Sequence, residues 1–389
     1  MNTERTVESG RLLLPFVLFA VATNATLVQT LLPEDSALKT FVRAVVLICS
    51  VYVVVSARIP APAGLVVLST LTLVLALARA NEDQFSYLFV IVVALGLSRV
   101  TDRKLLQWST WAGGWTLLLL MLLLWAGVTT NEILMPRERS TFGSSSVPFV
   151  FNAVYGFAAV WVVYVFRYRS RWRWVVLPAA VLLAIYFFLA TDLRGGFLTF
   201  LAFLTLCPLL RVARRSRIAV AVLASLPAGL LGISLALATL ADNASVNALL
   251  SYRPLYYWRM LSQFQIDDLV LTSSVKQLDL ISIVDNSYLH LLIGGGVVLS
   301  VFYLWIYARA MFALMESGEV LLAAFLTATS VYFVSESLLV RIENVFIALF
   351  WLLIFRWGAR LRPSGKVASE ELRGDERRLP AQRPETVER

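Results

Sequence analysis

The chain has 389 residues, 59% hydrophobic and 15% charged, with a mean hydropathy of +0.76; this excludes an ordinary soluble domain and reads as an all-α, polytopic membrane protein. A formal net charge of +9 fits basic loops on one side of a membrane better than nucleic-acid binding. Two cysteines, Cys49 and Cys207, and a single histidine, His290, exclude a disulfide framework and a histidine-rich metal centre.

A helix needs roughly 20 apolar residues to cross a bilayer. About twelve runs approach that length, near 12–32, 40–57, 62–80, 85–100, 106–128, 148–166, 174–191, 195–211, 217–241, 285–308, 319–339 and 342–358. The first mimics a signal peptide, with Ala20-Val21-Ala22 at a mock cleavage site. Its preceding segment is charge-balanced (Glu4, Arg5, Glu8, Arg11) and the run continues past the site, so it reads as a retained span.

Basic residues in short loops set the orientation. Arg99, Arg103 and Lys104 follow the fourth run, Arg167, Arg169, Arg171 and Arg173 the sixth, and Arg211, Arg214, Arg215 and Arg217 the eighth. All fall on one side if every run is a span, together with both termini, which predicts cytoplasmic ends. Residues 1–359 then form the membrane domain. Residues 360–389, charged in both signs and carrying Pro380 and Pro384, read as a disordered cytoplasmic tail.

The opposite side receives the longest polar interruption, 242–284. It is too long for an idle connection and too aromatic for a disordered one. Pro254 suits the start of a helix. Leu255, Trp258 and Leu261 recur at spacing three, which predicts a short amphipathic helix lying in the outer interface.

Four arginines, Arg194, Arg253, Arg259 and Arg341, stand on this outer side beside span ends. Each alone could snorkel to lipid phosphate; four beside aromatic residues favour an anion site, because the guanidinium fork donates bidentate, charge-assisted bonds. Arg194 is followed by Gly195-Gly196 at a span start, where free backbone N–H groups and a small side chain admit a ligand. Arg253 and Arg259 are six residues apart, about 240° around a helix, so only one can face a given ligand. Arg253, at the helix start, is the better placed. Asp285 opens the tenth span as an expected N-cap and a candidate general base. Glu336 is an expected intramembrane acid that Arg341 would neutralise. No nucleotide-type phosphate loop or Asp-x-Asp metal motif is present, so no cofactor and no metal are expected.

Four pieces of the sequence resemble the O-antigen polymerase and O-antigen ligase superfamily of bacterial membrane glycosyltransferases. Leu193-Arg194-Gly195-Gly196 is similar to its Arg-Gly element. Ser251-Tyr252-Arg253 with Trp258 is similar to its Ser-x-Arg…Trp element. Asp285-Asn286-Ser287-Tyr288-Leu289, followed by Gly294-Gly295-Gly296, is similar to the Asn-x-Tyr-Leu…Gly element. Glu336 with Asn344 matches its acidic and amide positions. The resemblance covers roughly 190–350. The family's Pro-x-x-Gly-x-Gly stretch is absent. Asp285 stands where the ligase branch often has histidine, which favours the polymerase branch.

The resemblance implies transfer of a glycan from a polyprenyl-pyrophosphate carrier to a second lipid-linked repeat unit at the outer face of the bacterial inner membrane. Arg194, Arg253 and Asp285 would be catalytic, with Arg259, Trp258, Tyr288, Asn286, Glu336 and Arg341 binding substrate. Membrane lipids, a flippase and a chain-length regulator would be its partners. A ligase acting on a lipid or protein acceptor, a twelve-span transporter and a non-catalytic envelope scaffold are the alternatives. The turn Ser56-Ala57-Arg58-Ile59-Pro60 does not fit the usual major-facilitator motif, and the outer charges lack the mid-membrane placement of a transporter.

Overall fold

The computed structural model describes residues 2–32, 37–56, 63–79, 82–97, 100–134, 139–263, 265, 270, 272, 285–339 and 344–359. Within them the chain is almost all helical: α1 (Asn2–Thr30), α2 (Ala37–Ser56), α3 (Ala63–Arg79), α4 (Glu82–Gly96), α5 (Asp102–Trp125), α6 (Val147–Tyr168), α7 (Arg173–Thr191), α8 (Arg194–Ala213), α9 (Arg217–Ala238), α10 (Ala244–Leu249), α11 (Arg253–Ser262), α12 (Ser287–Glu316), α13 (Val320–Tyr332) and α14 (Val345–Gly358). Two short strands, Ile133–Leu134 and Arg139–Ser140, pair antiparallel between α5 and α6. Among the described residues eight helices are long and apolar enough to cross a membrane: α1, α2, α5 to α9 and α12. Four shorter apolar helices, α3, α4, α13 and α14, occupy the remaining expected runs. The chain is therefore a helical membrane protein. Arg341, the tail 360–389 and most of 264–284 lie outside the described residues.

The centre of the bundle is α6. Its small residues Ala153, Gly156, Ala158 and Ala159 are buried, and a Cβ on Gly156 would lie 2.5 Å from Phe346 of α14. Apolar burial gives little drive between helices already in lipid, so close backbone approach through small residues carries the packing. A buried hydroxyl pair, Tyr155 and Thr329 at 2.9 Å, ties α6 to α13. By contrast α2, at the periphery, buries only Val46, Ser50 and Val53.

Two spans depart from the expected continuous helix. Gly296 interrupts α12 with φ 71° and ψ 178°, a region that only glycine occupies readily. Gln84 of α4, fully buried, donates to the Gly294 carbonyl beside this kink at 2.8 Å. The eleventh expected span, 319–339, is helical only to Tyr332; a turn follows at 333–335 and an irregular stretch to 339. Glu336 therefore lies beyond the helix instead of within it. Such backbone is tolerated at membrane depth only where protein buries it and satisfies its polar groups, and Phe333, Leu338 and Leu339 are indeed buried.

The ends of the bundle differ in chemistry. At one end Arg167 Nη2 contacts Asp102 Oδ2 at 3.2 Å and Glu319 Oε1 at 2.5 Å, while Arg356 Nε meets Asp102 Oδ1 at 2.9 Å and its Nη2 donates to the Val100 carbonyl. These contacts hold the start of α5, the end of α6, the start of α13 and the end of α14 together. Arg211, Arg214 and Arg215 line a cavity with Arg167 and Glu319. The three basic loops thus share one end, as expected from their charge. The starts of α6, α8 and α12 and the end of α13 lie at the other.

Candidate functional site

At that second end, α10 and α11 form the first part of the interruption expected as a loop. Asn243 caps α10 by accepting from Val246 N at 3.1 Å. Ser251 and Tyr252 then take left-handed backbone, φ 54° and 61°, which turns the chain sharply into α11. Non-glycine residues in this region are strained and persist only where neighbours hold them. The holder is buried Asn247. Its Oδ1 accepts from Leu255 N at 3.2 Å, its side-chain amide donates to the Ala241 carbonyl, and its own carbonyl accepts from Tyr252 N at 2.7 Å.

The short helix exists. Its buried residues are Pro254, Tyr257 and Met260, also at spacing three. Tyr257 and Met260 pack on Ala238 of α9 and on Leu289 and Ile293 of α12. Trp258 and Arg259 are exposed, with Trp258 at 51%. Arg253, at the first helical position, faces the protein: its Nη2 reaches the Ser335 carbonyl at 3.4 Å. The expectation that Arg253 and Arg259 face different ways holds.

The irregular stretch after α13 is the floor of the site. Ser287 Oγ donates to the Glu336 carbonyl at 2.6 Å and accepts from Leu338 N and Leu339 N at 2.8 and 3.1 Å. Ser287 N donates to the Phe333 carbonyl at 2.8 Å. Tyr257 Oη donates to the Val334 carbonyl at 2.9 Å. One serine and one tyrosine thereby satisfy much of the backbone that the broken helix leaves open.

The cap of α12 is Asn286, not Asp285. Asn286 Oδ1 accepts from Tyr288 N and Leu289 N at 2.9 and 3.1 Å, and its Nδ2 donates to Ser234 Oγ of α9 at 2.8 Å. Asp285, one residue earlier, is exposed. Tyr288 is buried beneath, its hydroxyl donating to the Ser330 carbonyl at 2.7 Å.

Gly195 and Gly196 bring the start of α8 against the same floor. A Cβ on Gly195 would lie 3.2 Å from Ser335 Oγ, and one on Gly196 would lie 2.3 Å from Phe151 and 3.0 Å from Tyr332 Oη. Tyr332 in turn donates to Asn152 of α6. Arg194 itself is 70% exposed and pairs through Nε with Asp192 at 3.2 Å. An exposed pair of this kind contributes about 0–1 kcal/mol, so Arg194 remains available to an anion. Asn344 lines a separate crevice with Ala25, Phe149 and Ala153.

The electrostatics centre on Tyr257. Burial pushes its hydroxyl pKa up, a hydrogen bond with Asn286 and the Arg253 charge pull it down, and the Asp285 charge raises it. It therefore stays protonated and a donor near neutral pH. Arg253 and Asp285 both act on this one hydroxyl, so a cation with spare donors and an exposed carboxylate share one locality. Sequence reasoning missed Tyr257, Ser287, Asn247 and Ser335. Pro254, Tyr257 and Met260 recur at the same spacing as Leu255, Trp258 and Leu261, so the spacing alone does not single out the side that packs on α9 and α12. Among the described residues no cluster of three or more His, Cys, Asp or Glu is close enough to hold a metal ion.

The fold and site define a polytopic helical membrane protein with a polar, arginine-bearing patch where a broken helix, a kinked helix and an amphipathic helix meet. Comparison with protein-family models, with curated proteins and with solved structures returned no match.

Proposed function

We propose that the chain polymerises polyprenyl-pyrophosphate-linked oligosaccharide repeat units into a surface polysaccharide at the outer face of a bacterial inner membrane, with both termini cytoplasmic. The observation that carries this reading is a convergence. Three of the segments that resemble the glycosyltransferase superfamily, at Gly195–Gly196, at Arg253 and at Asp285–Ser287, all meet the stretch at Ser335 and Glu336, which carries the acidic position of the fourth, while its amide position, Asn344, lines a separate crevice. They come from the starts of α8, α11 and α12 and from the irregular stretch after α13, and lie up to 142 positions apart, from 194 to 336.

The chemistry suits these residues. The acceptor hydroxyl attacks the anomeric carbon of the donor; the bond from that carbon to the pyrophosphate oxygen breaks, and the pyrophosphate leaves with the electron pair. Arg253 and Arg194 stabilise the charge that develops on the leaving oxygens. Asp285 orients the acceptor hydroxyl and takes its proton. Trp258 and Arg259, on the exposed face of α11, are positioned to meet sugar or lipid phosphate. Asn286, Tyr288 and Glu336 act from the floor.

Deletion of the gene in its host, followed by gel analysis of surface glycan, tests the reading. Loss of long chains with single repeat units retained is expected. Complete loss of glycan from its anchor would identify a ligase instead, and an unchanged profile would refute the proposal.

A further inference from the structure

A second anion site lies at the opposite, basic end of the bundle, and it stands independently of the glycan reading. A cavity of about 540 Å³ opens between the end of α6, the end of α8 and the start of α13. Arg167, Arg211, Arg214 and Arg215 line it against one carboxylate, Glu319. That carboxylate is already engaged by Arg167 Nη2. Arg211, Arg214 and Arg215 have no acidic partner among the described residues.

The backbone is shaped to keep these charges together. Gly318, at φ 74°, ends the turn from α12 into α13, and a Cβ there would lie 3.0 Å from Arg214 Nη1. Glycine thus answers two needs at this position, the left-handed turn and the close approach of the guanidinium. Arginines snorkelling independently to a membrane surface need not converge on one cavity. Convergent guanidinium forks of this kind match a phosphate. The cavity is also bordered by Val212, Val320 and Leu321. Val212 and Leu209, one turn further into α8, are 75% and 61% exposed, an apolar track leading away from the arginines along the helix.

We propose that this cavity binds a phosphate group, presented either by an anionic lipid headgroup whose chains follow the α8 track or by a soluble phosphate. The test compares two triple variants of the full-length protein that lose equal charge from the same end. One, Arg211→Gln with Arg214→Gln and Arg215→Gln, empties the cavity of its unpaired arginines. The other, Arg169→Gln with Arg171→Gln and Arg173→Gln, removes equally exposed arginines that do not line it. Native mass spectrometry of the detergent-solubilised protein titrated with phosphatidylglycerol reads retained lipid, with phosphatidylcholine as reference. Thermal unfolding in inorganic phosphate, against chloride at matched ionic strength, reads the soluble source.

The first triple variant is expected to lose phosphatidylglycerol retention by about tenfold or more, while the second keeps it within about twofold. Stabilisation by inorganic phosphate, lost only in the first variant and without selective lipid retention, would assign the site to a soluble phosphate. Equal loss in both variants would overturn the proposal in favour of diffuse attraction, as would binding of neither probe.

Discussion

Asp285 and Asn286 are adjacent and both are good capping residues, so the sequence offered no means of choosing between them. The geometry separates their roles. Asn286 holds two backbone N–H groups and Ser234; Asp285 is exposed beside the Arg253 locality. Asn286→Ala is expected to cost about 1–3 kcal/mol, since it strips a cap and a buried hydrogen bond, and to lower the unfolding midpoint in detergent. Asp285→Asn is expected to leave that midpoint unchanged while glycan extension falls by at least about tenfold. Should Asp285→Asn polymerise normally, the proton acceptor lies elsewhere. The residue types of the site were legible in the sequence. Tyr257 was not, because its importance comes from the carbonyl of Val334, 77 positions away.

At the scale of elements, the apolar runs were readable because membrane helices need length and hydrophobicity and little else. The interruptions were not. Residues 333–339 set Ser335, Glu336 and Ser337 between Phe333, Val334, Leu338 and Leu339, and where they leave the helix Ser287 and Tyr257 supply hydrogen bonds in its place. The triple glycine 294–296 was legible as a motif, but not as the kink at Gly296. Gly296→Ala is expected to destabilise the protein by about 1–3 kcal/mol, because a Cβ does not tolerate that backbone region. Gly229 of α9 is helical with open space around its Cβ position, and Gly229→Ala is expected to be neutral or to stabilise by up to about 1 kcal/mol. Unfolding midpoints of the two variants, purified alike, check the contrast. Equal behaviour would mean that α12 runs straight.

For the whole molecule, the distribution of arginine predicted that the three basic loops share one end, and the network of Asp102, Arg167, Glu319 and Arg356, with the cavity that Arg167 shares with Arg211, Arg214 and Arg215, gathers them and the end of α14 there. What composition could not supply was the meeting of four distant segments at the other end, since convergence of this kind is decided by helix packing. The central claim is that this meeting makes a glycan-transfer site with Arg253 at its heart. The most direct measurement is the surface-glycan length profile of a host whose only copy carries Arg253→Ala, at a membrane protein level equal to wild type, with Arg253→Lys beside it. The account predicts single repeat units and no long chains for the alanine variant, and partial chain growth for lysine, which lacks the bidentate fork. Long chains of normal distribution in the Arg253→Ala strain would contradict it.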